Sequence, residues 1–176
     1  MAETAYIGLG SNMGDRLATL QSALAHLCGF ETVTVAAASG AWETAPVGGP
    51  VEQSDYLNAA AALRSDLAPR ELLDTLLEVE RRHGRRRLAR WGPRTLDLDL
   101  LLYGDHHVQE PGLSLPHPRL EERRFVLEPL LEIAPHLTHP VHGNRLSESL
   151  DVLRAQRQER VRRLADLPII GSGIAL

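Results

Sequence analysis

Arg94-Thr95-Leu96-Asp97-Leu98-Asp99-Leu100-Leu101-Leu102-Tyr103 is the stretch from which the rest of the chain can be read. From Leu96 to Leu100 apolar and acidic residues alternate with the period of two that marks a half-buried strand. Leu96, Leu98 and Leu100 therefore turn into a core. Asp97 and Asp99 share the opposite face, with Cα atoms about 6.5–7 Å apart. Two carboxylates so placed repel, and each resists ionising beside the other. A cation, an arginine or water must relieve them. Hard oxygen donors of this kind suit magnesium, which binds through one or two carboxylates plus substrate phosphates.

The residues just before the strand decide among those options. Arg85-Arg86-Arg87-Leu88-Ala89-Arg90-Trp91-Gly92-Pro93 leads into Arg94, and seven arginines fall between positions 81 and 94. A run of like charge is ordinarily a solvated face. Next to a carboxylate pair it reads differently, because guanidinium forks match phosphate oxygens and keep their charge. Gly92-Pro93 sets a turn that delivers Arg94 to the strand edge. The combination predicts a magnesium-bound nucleotide between Arg85 and Asp99.

Working outward, Ala5 to Leu9 reads as a buried strand. A helix follows, with Leu17, Leu20, Leu24 and Leu27 on one stripe and Gly29 as its stop. Glu31 to Glu43 is expected as one strand, residues 44–50 as a Gly/Pro loop, and Tyr56 to Leu63 as a further strand. Asp66 is the expected cap of a second helix, which has Pro69 in its first turn and Leu72, Leu73, Leu76, Leu77 and Val79 on its apolar face. Gly84 ends it. Thr95 to Tyr103 is the fourth strand. This β-α-β-β-α-β order predicts an α+β, ferredoxin-like core, an antiparallel sheet with helices packed on it. Beyond Gly104 an irregular extension is expected. It carries a helix from Leu146 to Leu153, with Arg154 to Arg163 continuing that helix or fraying. The 176 residues predict a single domain.

Composition narrows the function classes. All 19 basic residues are arginine, which excludes a Schiff-base lysine and a P-loop lysine together. A net charge of −4 argues against general nucleic-acid or acidic-membrane affinity. No apolar run approaches the ~20 residues of a membrane span. The first residues lack a basic signal-peptide region and Cys28 has no disulfide partner, so a cytoplasmic location is expected. Gly8-Leu9-Gly10-Ser11-Asn12-Met13-Gly14 misses the dinucleotide fingerprint by one residue and reads as a tight strand-to-helix turn. Tyr56 and Asn58 share a strand face, a ring to stack on and an amide to pair with, which suits a flat heterocycle. His117 lies between two prolines in a rigid loop, where it reads equally as a phosphate contact or as a loop histidine with no function.

Together these residues resemble the 6-hydroxymethyl-7,8-dihydropterin pyrophosphokinase family over about Ala5 to Leu137. The resemblance rests on Gly10-Ser11-Asn12, Thr44-Ala45-Pro46-Val47-Gly48, Asp55-Tyr56-Leu57-Asn58 and Arg90-Trp91-Gly92-Pro93-Arg94-Thr95-Leu96-Asp97-Leu98-Asp99. Leu115-Pro116-His117-Pro118 and Arg123-Arg124-Phe125 follow in order. It implies transfer of pyrophosphate from ATP to the pterin hydroxymethyl group, releasing AMP, with no nucleic-acid or membrane partner and a monomer as the working expectation. It further implies two Mg2+ ions on Asp97 and Asp99. Arg85 and Arg94 would act on the phosphates, and Glu80, Arg87, Arg90, Leu100, His117 and Arg123 would be further ATP contacts. Tyr56 and Phe125 would sandwich the pterin. Asn58 and residues Thr44, Ala45 and Val47 would read its edges, Asp97 would approach its hydroxyl, and Trp91 would close over it. The arginine segment is one residue shorter than the family's usual form, which leaves Arg85 and Arg86 both open as the arginine that closes on the phosphates.

Two rivals accompany this reading. Ferredoxin-like sheets also bind RNA, but only 4% of residues are aromatic and no strand is rich in stacking side chains. The other is a kinase that transfers one phosphoryl group.

Overall fold

Nine consecutive pairs join β1 (Glu3–Ser11) to β4 (Tyr56–Ser65), from Glu3 opposite Ser65 to Ser11 opposite Leu57. On its other side β1 pairs with β5 (Asp97–Tyr103), from Ala5 opposite Tyr103 to Gly10 opposite Asp97. The computed structural model from which these elements are taken describes residues 1–46, 52–84 and 94–169. β2 (Val33–Ala38) and β3 (Ala41–Thr44) both pair with β4, and β3 also pairs with β8 (Val161–Ala165). Every pairing is antiparallel, and the main path runs β5-β1-β4-β3-β8. A short hairpin, β6 (Val108–Glu110) with β7 (Leu113–Leu115), lies apart from this sheet.

Alternation gives the sheet two different faces. Ala5, Ile7 and Leu9 of β1, Leu57 and Leu63 of β4, and Leu98 and Leu100 of β5 bury on one of them. The leucine stripe of α1 (Arg16–Cys28) and Leu72, Leu76 and Val79 of α2 (Pro69–Arg82) close over it. Tyr6, Ala60, Leu101 and Leu102 belong to a second cluster with Val126, Leu127, Leu130 and Leu131 of α3 (Arg124–Ile133) and with Leu146 and Leu150 of α4 (Leu146–Gln156). A register shift between Tyr6 and Ile7 lets both Leu101 and Leu102 join this cluster. Glu128 of α3 ties α4 to it by accepting from Arg154 Nη2 at 2.6 Å, and it also accepts from Arg124 Nε of its own helix at 2.9 Å.

Several expectations are corrected. The strand foreseen from Glu31 to Glu43 is two strands. At the break Ser39 Oγ accepts the Ala60 N–H and donates to the Gly40 carbonyl. Gly40 has no room for a side chain there, because a Cβ would sit 2.8 Å from the backbone carbonyl oxygen of Ala165 in β8. The cap of α2 is Ala68, not Asp66: the helix starts at Pro69, and Glu71 accepts the Ala68 N–H at 2.8 Å. Gly8 and Gly10 lie inside β1, so the turn into α1 comes later, where Asp15 caps Ala18 N–H at 3.0 Å. α3 was not foreseen, since Pro129 interrupts its pattern. Residues 161–165 form β8 where a helix end or fraying was expected.

Candidate active site

The cavity lies on the α3 face of the sheet, where glycines replace packed side chains. In β1, Gly10 stands between Asn58 of β4 and Asp97 of β5, and Gly8 stands between Ala60 and Asp99. A Cβ on Gly10 would lie 3.0 Å from Asn58 Oδ1. The bare backbone therefore forms the floor of a cavity of about 410 Å3, with the acidic pair on one side and the amide on the other.

Asp97 and Asp99 both line this cavity, as the alternation required. Asp97 Oδ2 accepts from Arg94 Nη1 at 2.7 Å. Burial works against the charge on Arg94, but Asp97 and Asp99 outweigh it and its pKa moves up. Burial first, and the charge of Asp97 next, push the Asp99 carboxyl up to about 7. Arg123 enters from the start of α3. Burial is the largest influence on it and lowers its pKa, while the carboxylates oppose that shift.

His117 accepts the Arg119 N–H on Nδ1 at 3.1 Å. Burial and the charges of Arg123 and Arg119 lower its pKa to about 4. The ring is therefore neutral at pH 7, with its proton on Nε2, which makes it a donor suited to a phosphate oxygen.

The other wall carries Thr44, Ala45, Tyr56, Asn58 and Phe125. Asn58 Nδ2 donates to Thr44 Oγ1 at 2.7 Å, which fixes the amide orientation. The Arg123 guanidinium lies 5.7 Å from the Phe125 ring centroid, joining the charged and aromatic walls. Glu80 and Leu100 stand apart from the cavity lining. Glu80 accepts the Leu98 N–H at 2.7 Å, and Leu100 packs in the core under α2. Arg85, Arg86, Arg87, Arg90, Trp91 and Val47 lie outside the described residues.

Sequence reasoning missed Gln53, Arg119, Glu122 and Glu159, which also line the cavity, and gave Asn12 no role. Asn12 is 4% exposed. Its Oδ1 accepts the Arg94 N–H at 2.8 Å, and its Nδ2 donates to Gln53 Oε1 and the Ser54 carbonyl at 3.3 Å each. A buried amide with all its bonds directed at backbone and neighbours ties separate segments together.

A second group of possible metal ligands, Glu121, His139 and His142, holds its ligand atoms within 4.8 Å. His139 Nδ1 accepts the N–H groups of Val141 and His142, which places the ring proton on Nε2, facing Glu121. Asn144 and Ser149 donate to Glu121 Oε1. Hydrogen bonds therefore close this cluster and shape a turn.

A cavity with carboxylates and arginines on one wall, and an aromatic ring and an oriented amide on the other, defines a small-molecule site in an antiparallel α+β sheet. Residues 6–135 match the family described as 7,8-dihydro-6-hydroxymethylpterin-pyrophosphokinase, and the chain belongs to that family. It is 44% identical over 147 residues to the 2-amino-4-hydroxy-6-hydroxymethyldihydropteridine pyrophosphokinase of Synechocystis sp., covering 84% of this chain and 74% of the relative. It is 47% identical over 133 residues to the enzyme of the same name from Bacillus subtilis, covering 76% and 79%. Among solved structures, Plasmodium falciparum HPPK-DHPS with pterin and p-hydroxybenzoate shares the fold. There the TM-score is 0.69 at 16% identity, over 90% of this chain and 44% of that one. The chain thus spans a little under half of that larger protein. Among the described residues, no helix is long and apolar enough to cross a membrane.

Proposed function

We propose that this chain transfers pyrophosphate from ATP to 6-hydroxymethyl-7,8-dihydropterin in folate biosynthesis, giving the pterin diphosphate and AMP. One observation carries the reading: a single cavity joins the Asp97–Asp99 pair and its arginines to the Tyr56, Asn58 and Phe125 wall. Family membership supports it. The pterin oxygen would bond to the β-phosphorus as the bond to the α–β bridging oxygen breaks, and AMP would leave with that oxygen. Asp97 would orient the attacking hydroxyl, whose proton would be released to water as the new bond forms. Arg94 and Arg123 would carry phosphate charge, and the Nε2–H of His117 would donate to a phosphate oxygen. Arg85 or Arg86, with Arg87 and Arg90, would add further charge, while Glu80 would act only by fixing the backbone of the Asp97–Asp99 strand through the Leu98 N–H. Tyr56 and Phe125 would hold the ring, while Asn58, Thr44, Ala45 and Val47 would read its edges under Trp91.

The donor set fits magnesium: paired carboxylate oxygens, one with a raised pKa, gain most from a hard cation. Asp97 and Asp99 would hold two Mg2+ ions with ATP, and these would supply neutralisation of phosphate charge. We read the β-α-β-β-α-β part as a ferredoxin-like core within one monomeric, cytoplasmic domain, with α3, α4 and β8 as its extension.

The test is incubation with MgATP and 6-hydroxymethyl-7,8-dihydropterin. AMP and a pterin diphosphate are expected. ADP and a monophosphate would replace this reading with that of an ordinary kinase.

A further inference from the structure

We propose that Glu159 is a positioning residue for the acceptor wall, holding Phe125 against the cavity by capping α3 from a distant part of the chain. The proposal rests on the reading of that wall as the pterin site. α3 needs such a cap: its first N–H groups lack intrahelical partners, and its N-cap residue Arg123 supplies no side-chain bond. Glu159 supplies two. Its Oε1 accepts the Arg124 N–H and its Oε2 accepts the Phe125 N–H, each at 3.2 Å. A carboxylate also suits the positive end of the helix. The Glu159 carbonyl further accepts from Arg124 Nη1 at 3.1 Å.

Glu159 itself lines the cavity, yet both carboxylate oxygens are engaged by backbone. It therefore acts through Phe125 rather than on the acceptor. The segment carrying it is anchored to the rest of the same wall. The Arg160 carbonyl accepts the Ala45 N–H at 3.4 Å, and its guanidinium pairs with Asp55, the neighbour of Tyr56. Val161 of β8 then pairs with Thr44. The C-terminal segment thus references Phe125 to the strands opposite it.

The test compares Glu159→Ala and Glu159→Gln with the parent chain. In Glu159→Ala, amide hydrogen exchange at Arg124 and Phe125 should accelerate. The pterin KM should rise about five- to tenfold while the ATP KM stays within about twofold. Glu159→Gln keeps one acceptor oxygen and should fall between the two. Unchanged exchange at Arg124 and Phe125 would overturn the proposal. So would equal rises in both KM values together with a lowered melting temperature, since that pattern marks a purely structural role. If the parent chain forms no AMP, the transfer reading fails by itself, and the exchange rates still decide whether Glu159 holds Phe125.

Discussion

The two faces of the central sheet follow opposite rules. Under α1 and α2 the inward positions along the middle of β1, β4 and β5 carry apolar side chains, with buried Ser11 and Ser65 only at the strand ends, and Ile7, Leu57 and Leu98 are at most 3% exposed. On the cavity face the same strands carry glycine, an amide and two carboxylates. Each of these weakens a strand, through lost packing, a polar group to satisfy or like-charge repulsion. The difference teaches that one face holds the sheet together so that the other can carry a costly arrangement.

Substitutions should separate the two faces. Asp97→Ala and Asp99→Ala are expected to lower AMP formation at least about a thousandfold, measured at saturating substrates. The thermal midpoint of Asp99→Ala should hold, because one of two repelling charges is removed, while that of Asp97→Ala should fall slightly with the loss of the Arg94 ion pair. A variant of either aspartate that unfolded would erase the distinction. Leu76→Ala, on the packed face, should cost about 3 kcal/mol in urea unfolding while the folded fraction keeps its turnover. Lost activity without lost stability would place Leu76 in the site instead.

The smallest effect tests the cavity wall. His117 titrates near 6.5 when unfolded and near 4 when folded, so the unfolded chain binds more protons between these values. Stability should therefore rise with pH from about 4 to about 6.5, and His117→Asn should flatten that stretch when unfolding midpoints are compared across it. Equal slopes in both proteins would show that His117 is not held neutral by the wall.

The packed face was legible because burial on one side imposes a simple period. The leucine stripes of α1 and α2 and the alternation from Leu96 to Leu100 each give their element directly. Asp97 and Asp99 were legible for the same reason, as the polar remainder of that alternation. The second face was not. α3 carries its apolar residues around Pro129, and β8 alternates little because it lies at the sheet edge with none of its five residues fully buried. The joint between β2 and β3 depends on how closely the Ala165 backbone approaches Gly40, a contact made across more than a hundred residues. Glu159 escaped notice for a related reason, since its partners are backbone N–H groups that no motif encodes.

Asn12 gives the cavity a single datum. The same buried side chain fixes the backbone at Arg94, beside the acidic pair, and the backbone at Ser54, two residues before Tyr56. The spacing between the charged wall and the aromatic wall is thus set from one origin rather than accumulated around the sheet. Positional error in one half is carried into the other, so the halves stay aligned with each other even when both shift. For a reaction in which misplacement by about 1 Å can cost a hundredfold in rate, that shared origin is a tolerance built into one amide.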